Sequence, residues 1–145
     1  MALDRILIVD DNPDIREVLS VLLSSENYKI EEAENGRAAI EKLFNGKNNF
    51  DLMILDIMMP GMNGIEVCSR VREKSQIPIL FLTAKSQDND MIEAYSNGGD
   101  DFLVKPFSRT ELVLKVKSLI RRRKQYNESR SKEEDNIKKL SECGC

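Results

Sequence analysis

The sequence predicts an α/β protein built on a doubly wound, parallel sheet of five strands with helices on both faces. Three observations carry that expectation. Near-unbroken apolar runs recur that are too short for buried helices. Stretches of helical period separate them, and polar residues gather just after the runs rather than inside them.

The elements follow in order. Residues 6–9, Ile-Leu-Ile-Val, are the first run. Asn12-Pro13 then sets a capping side chain ahead of a first-turn proline, and Ile15, Val18, Leu19, Leu22 and Leu23 recur at i, i+3, i+4, i+7 and i+8. Residues 28–33 interleave charge with apolar side chains, which suits a strand at a sheet edge. Ala39, Ile40, Leu43 and Phe44 form a second helical stripe, ending at Asn45-Gly46. Residues 52–55 are the third run, followed by a stripe of Ile65, Cys68 and Val71. After the fourth run, residues 79–82, the helical pattern is weak: it rests on Met91, Ile92 and Tyr95 before the turn residues Asn97-Gly98-Gly99. Residues 102–104 close the sheet. Ser108 and Glu111 then make a capping box ahead of Leu112, Val113, Val116, Leu119 and Ile120.

Beyond Arg123 the character changes. From Lys124 to Lys139 only Tyr126 and Ile137 are large and apolar, and charges of both signs crowd together. Such a stretch cannot bury a face, so it is expected to be a linker or a solvated helical extension. The domain reading is residues 1–123 as one folded unit and 124–145 as a charged linker or tail. The basic run Arg121-Arg122-Arg123-Lys124 fits a helix C-terminus, where cations favour the dipole, better than a nucleic-acid contact.

Bulk properties exclude several classes. A chain of 145 residues, 41% hydrophobic and 32% charged, supports one core and a solvated surface. A net charge of −3 gives no global reason to expect nucleic acid or an acidic membrane as partner. The apolar run behind Met1 is short and ends in aspartates, unlike a signal peptide, and no run approaches the roughly 18 residues of a membrane span. A cytoplasmic location is expected. Cys68, within a helical stripe, reads as a buried thiol, whereas Cys143 and Cys145 read as chain-end residues rather than a metal or redox pair. With 0 histidines, the chain offers no His-containing zinc site, Ser-His-Asp triad or phosphohistidine.

Ligands of an open α/β sheet bind beyond the carboxyl ends of its strands. The elements above put Asp10 and Asp11 after the first strand, Asp56 after the third, Thr83 after the fourth and Lys105 after the fifth. Clustered carboxylates raise one another's pKa unless a cation joins them. Hard oxygen ligands, with neither nitrogen nor sulphur, point to Mg²⁺, which keeps several waters and shares its shell with phosphate. A carboxylate can itself accept a phosphoryl group, while a lysine and a hydroxyl hold the phosphoryl oxygens.

Four segments then resemble a known family. They are residues 8–11 (Ile-Val-Asp-Asp), 55–64 (Leu-Asp-Ile-Met-Met-Pro-Gly-Met-Asn-Gly), 81–84 (Phe-Leu-Thr-Ala) and 98–107 (Gly-Gly-Asp-Asp-Phe-Leu-Val-Lys-Pro-Phe). Together they are similar to the signature blocks of response-regulator receivers, most of all those of OmpR/PhoB-type transcription regulators. The resemblance implies a flavodoxin-like fold of strand order 2-1-3-4-5 and a Mg²⁺-dependent phosphate switch. Asp56 would be the phosphoacceptor, and Asp11, Asp56 and the Met58 backbone carbonyl would ligate Mg²⁺, with Asp10 acting mainly through water. Thr83 and Lys105 would hold the phosphoryl group, and a cis Lys105–Pro106 bond is implied.

Further roles follow from the same likeness. Thr83 and Phe102 would be the switch pair; phenylalanine stands where tyrosine is usual and lacks the polar tip that favours an outward position, so an inward Phe102 is expected even without phosphate. Met58 and Lys85 would flank the phosphoryl group and set its lifetime. Asp100, Asp101, Glu111, Lys115 and Arg122 would face a phosphorylation-driven homodimer, although Met91 stands where a basic partner for Glu111 is usual. The phosphoryl donor would be a sensor histidine kinase. DNA would be reached only through an output domain following the tail, making the parent a transcription regulator.

Each assignment has a plainer rival. Asp10 or Asp11 could cap the first helix, Asp56 could open a turn, and Thr83 and Lys105 could be ordinary strand-end residues. Two other readings of the whole compete: a stand-alone receiver, and an aspartate-nucleophile phosphatase. The phosphatase class carries Asp-x-Asp after its first strand, where this chain has Asp10-Asp11-Asn12, so the domain is expected to modify only itself and turn over no separate substrate.

Overall fold

A computed structural model describes residues 3–84 and 98–143, with side chains described up to residue 127. Parallel strands β1 (Arg5–Val9), β2 (Lys29–Ala33), β3 (Leu52–Asp56), β4 (Ile79–Thr83) and β5 (Asp101–Val104) form one sheet in the order β2-β1-β3-β4-β5. Helices α1 (Pro13–Ser24), α2 (Gly36–Asn45) and α3 (Gly64–Arg72) connect the first four strands. A long helix, α4 (Arg109–Cys143), follows β5. The weak stripe at Met91, Ile92 and Tyr95 lies outside the described residues.

Strand alternation sorts the core into two layers. Leu7, Val9, Met53, Leu55, Ile79 and Phe81 pack with Ala39 of α2 and with Ile65, Val67, Cys68 and Val71 of α3. The interleaved residues Ile6, Ile8, Leu52, Ile54, Leu80 and Leu82 point the other way, onto Leu19 and Leu23 of α1 and Leu112, Val116, Leu119 and Ile120 of α4. Apolar side chains on both faces are why the runs are unbroken rather than alternating. β2, exposed along one edge, is the strand that carries charge.

Caps follow local chemistry. The Asn12 side chain accepts from the Asp14 N–H with Pro13 in the first turn, and Asn35 and Asn63 cap α2 and α3 in the same way. Ser108 Oγ accepts from the Glu111 N–H at 3.0 Å. α2 ends at Asn45 with Gly46 as its cap. The Lys105–Pro106 bond is cis.

The structure differs from expectation in two places. Val18, assigned to the buried stripe of α1, is 49% exposed; only Leu19 and Leu23 of that helix are fully buried. Neighbouring heptad positions reach the sheet, whereas Val18 points away from it. Helix α4 also continues past Arg123 without a break, so the basic run at residues 121–124, expected at a helix C-terminus, lies inside the helix, and residues 124–143 take the helical of the two alternatives expected for them. Of the two tail cysteines, Cys143 ends α4, and Cys145 and both side chains lie outside the described residues. Among the described residues no helix is long and apolar enough to cross a membrane.

Candidate functional site

Register decides which residues meet. Val9 pairs with Leu55 across β1 and β3, and Asp56 pairs with Leu82 across β3 and β4, so the next residues of three strands emerge at one level of the sheet. The turns leaving them are tied together: the Asp10 N–H donates to Ala33 O, Ile57 N–H to Leu82 O, and Lys105 N–H to Thr83 O at 2.7 Å. The result is an acidic nest. Carboxylate oxygens of Asp10, Asp11 and Asp56 lie within 4.8 Å of one another. Asp10 is 0% exposed and Asp56 5%, while Asp11 is on the surface.

Lys105 closes the nest. Its Nζ lies 3.2 Å from Asp10 Oδ2 and 3.8 Å from Asp56 Oδ1. Asp10 Oδ1 accepts from the Asn12 N–H at 2.9 Å, and Asp56 Oδ1 from the Met58 N–H at 3.2 Å. Thr83 is buried at the end of β4, beside this cluster in the sheet.

These contacts do not offset burial. Desolvation, then the Asp10 charge, push the Asp56 carboxyl up to about 7, against the opposing pull of Lys105 and the Met58 N–H. A carboxyl in that state is a weak nucleophile at neutral pH. A divalent cation is the partner that removes the cost, and an all-oxygen donor set open on the Asp11 side fits a hard ion such as Mg²⁺.

The loop after β3 shows the same inside–outside logic. Ile57 and Met59 turn into the core, leaving Met58 68% exposed at the mouth of the nest. α3 begins so close that a Cβ on Gly64 would stand 2.3 Å from the Asp56 carbonyl oxygen. Phe102 is 4% exposed, its ring stacked 5.6 Å from that of Phe81 at 27°, so it lies inward. Lys85 lies outside the described residues.

Of the charges assigned to a dimer face, Asp100, Asp101 and Lys115 are engaged within the chain. Asp101 pairs with Lys115 at 3.2 Å. Asp100 pairs with Arg72 at 2.9 Å and also accepts from the Ile79 N–H. Glu111 and Arg122 are exposed.

A family model described as the response regulator receiver domain matches residues 6–117. The chain belongs to that family. It is a receiver domain of two-component response regulators. The chain is 50% identical over 121 residues to the transcriptional regulatory protein ResD of Bacillus subtilis (strain 168), a match covering 83% of this chain and 50% of ResD. It is 45% identical over 119 residues to the transcriptional regulatory protein SrrA of Staphylococcus aureus (strain NCTC 8325 / PS 47), covering 82% of this chain and 48% of SrrA. The receiver thus spans about half the length of the curated relatives it matches. Among solved structures, response regulator protein TrrA of Thermotoga maritima, in complex with Mg(2+)-BeF, superposes with a TM-score of 0.73 at 44% identity, covering 81% of this chain and 99% of TrrA. Chemotaxis protein CheY4 of Vibrio cholerae superposes with a TM-score of 0.76 at 36% identity, covering 81% of this chain and 99% of CheY4.

Sequence reasoning passed over Arg16. Its Nη1 donates to the Asp10 carbonyl at 2.6 Å. The available signal was a lone basic residue in the first turns of α1, set among Asp14, Glu17 and the Asp10-Asp11 pair.

Proposed function

We propose that Asp56 is the phosphoacceptor of a Mg²⁺-dependent switch, charged by the phosphohistidine of a sensor histidine kinase. The observation that carries this reading is the nest itself: a nearly buried carboxyl, pushed up to about 7, with a lysine and two further carboxylates around it. In the reaction an Asp56 oxygen attacks phosphorus as the bond from phosphorus to the donor nitrogen breaks, leaving an acyl phosphate and free imidazole. Asp11, Asp56 and the Met58 carbonyl would hold Mg²⁺ directly, and Asp10 through water. Held there, Mg²⁺ would supply positive charge to offset that developing on the transferred group. Lys105 pairs with the phosphoryl group and the Thr83 hydroxyl donates to it.

The added charge shifts an equilibrium between inactive and active forms, with Thr83 and Phe102 as the moving pair. Its output is read on the face made by β5 and the start of α4. Asp100, Asp101, Glu111, Lys115 and Arg122 would serve a homodimer there once the intramolecular pairs exchange. Residues 1–123 form the switch and 124–145 the connection to a DNA-binding output domain, which makes the parent a transcription regulator. The transcriptional regulatory relatives, matched over about half their length, support that part of the reading. The domain catalyses its own phosphorylation and dephosphorylation and turns over no separate substrate.

Acetyl phosphate with Mg²⁺, followed by intact mass, tests the centre of this proposal. One phosphoryl group is expected on the natural chain and none on Asp56→Asn. Equal labelling of both, or labelling independent of Mg²⁺, would refute it.

A further inference from the structure

Resting on the phosphoacceptor reading, we infer that Arg16 is a positioning residue for the acidic nest, fixing the main chain from which the Asp10 and Asp11 carboxylates diverge. Arg16 sits early in α1 with its side chain 16% exposed. Nη1 donates to the Asp10 carbonyl at 2.6 Å, and Nε donates to Glu32 Oε1 at 3.2 Å, next to the end of β2. The guanidinium therefore ties the turn after β1 to the edge strand.

Geometry explains why this contact matters more than an ordinary surface bond. The Asp10 carbonyl and the Asp11 nitrogen share one rigid peptide plane. Holding the carbonyl sets the plane, and the plane sets where the Asp11 side chain departs. Asp11 is exposed, so no packing around its side chain can do that work. Other groups already hold the rest of Asp10: its N–H donates to Ala33 O, Oδ1 accepts from Asn12 N–H and Oδ2 from Lys105 Nζ. Arg16 supplies the carbonyl's partner and completes the set.

The role is directional rather than electrostatic. Glu32 faces the same guanidinium and offsets its charge, so Arg16 adds little positive potential to the nest. Two acceptors in different directions suit a planar fork, and a lysine ammonium could take only one of them at this geometry. None of the five strand-end residues assigned to ion binding or phosphoryl contact substitutes for it, because each acts through its side chain or its own turn.

The test compares Mg²⁺ binding, measured by calorimetry, with urea unfolding of the Mg²⁺-free protein. Arg16→Met keeps the aliphatic stem and removes the donor. It should weaken Mg²⁺ affinity about 10- to 100-fold, as loss of a group orienting metal ligands typically does. The Mg²⁺ concentration giving half-maximal acetyl phosphate labelling should rise by the same factor, while the rate at saturating Mg²⁺ stays near that of the natural chain. Arg16→Lys, able to reach the carbonyl but not both acceptors, should recover part of the loss. Unchanged Mg²⁺ affinity in Arg16→Met overturns the inference, as does a lower rate that saturating Mg²⁺ does not restore. Should Arg16→Met fail to fold, Arg16→Lys, which keeps the charge, decides: Mg²⁺ binding weaker than in the natural chain supports positioning, and unchanged binding overturns it. Failure of the natural chain to bind Mg²⁺ or label Asp56 would overturn the phosphoacceptor reading as well, a distinguishable result.

Discussion

Asp56 is held in the nest at a cost, and the cost has a sign. Its carboxyl ionises near 3.8 when unfolded and at about 7 when folded without metal, so the folded state binds the extra proton between those values. Stability of the Mg²⁺-free protein therefore falls as pH rises through that window. Asp56→Asn removes the charge, so at pH 8 it should be more stable than the natural chain by on the order of 2 kcal/mol, with the difference vanishing near pH 4. Urea titrations at the two pH values check this; a natural chain more stable than the variant at pH 8 would reverse the assigned sign. Met58 makes a second prediction at this scale. Its exposed apolar side chain stands where water must approach the phosphoryl group. Met58→Asn, which can hydrogen-bond that water, should hydrolyse its acyl phosphate several-fold faster, as followed by decay of the phosphorylated mass.

At the scale of elements, strand ends and helix starts are too close for free substitution. The start of α3 presses on the end of β3 at Gly64, where an added Cβ would meet the Asp56 carbonyl oxygen at 2.3 Å and the Ile57 Cα at 2.8 Å. Both are backbone atoms and neither can swing aside. Gly64→Ala should destabilise the fold by about 1–3 kcal/mol, the usual range for overpacking, and reduce Asp56 labelling because the strand end that carries Asp56 must shift. Thermal unfolding and labelling rate read the two effects; an unperturbed variant would show that α3 can retreat. The loop joining these elements is also held, since Asn63 caps α3 and the Gly64 N–H donates to Ile57 O. A packed loop of this kind transmits a change at Asp56 to α3 with little slack.

For the whole molecule, the question is where the folded unit ends. Among the described side chains, the buried stripe of α4 ends at Ile120; Arg123 still donates to Phe50 O, and Lys124 pairs with Asp4 in an exposed position. A chain ending at Asn127 should therefore keep its unfolding free energy within about 1 kcal/mol of the full chain. It should also lose part of the helical circular dichroism. A loss of several kcal/mol would mean that residues 128–145 pack on the receiver. The match of the family model to residues 6–117 agrees with a folded unit that closes within α4.

Periodicity by itself determined the class of fold, the strand positions to within a residue or so, and the buried stripes of α3 and α4, because a strand covered on both faces and a helix covered on one leave direct patterns in the chain. The order of chemistry-bearing residues along the chain determined the candidates Asp10, Asp11, Asp56, Thr83 and Lys105, since each lies within two residues of the end of an apolar run. Periodicity could not say that Val18 faces solvent, because a helical stripe is wider than the strip of sheet that covers it. Nor could it find the end of α4, or the bond from Arg16 to the Asp10 carbonyl. Those were decided by the tertiary structure alone: they depend on where a second element lies in space, and neither residue type nor spacing encodes that distance.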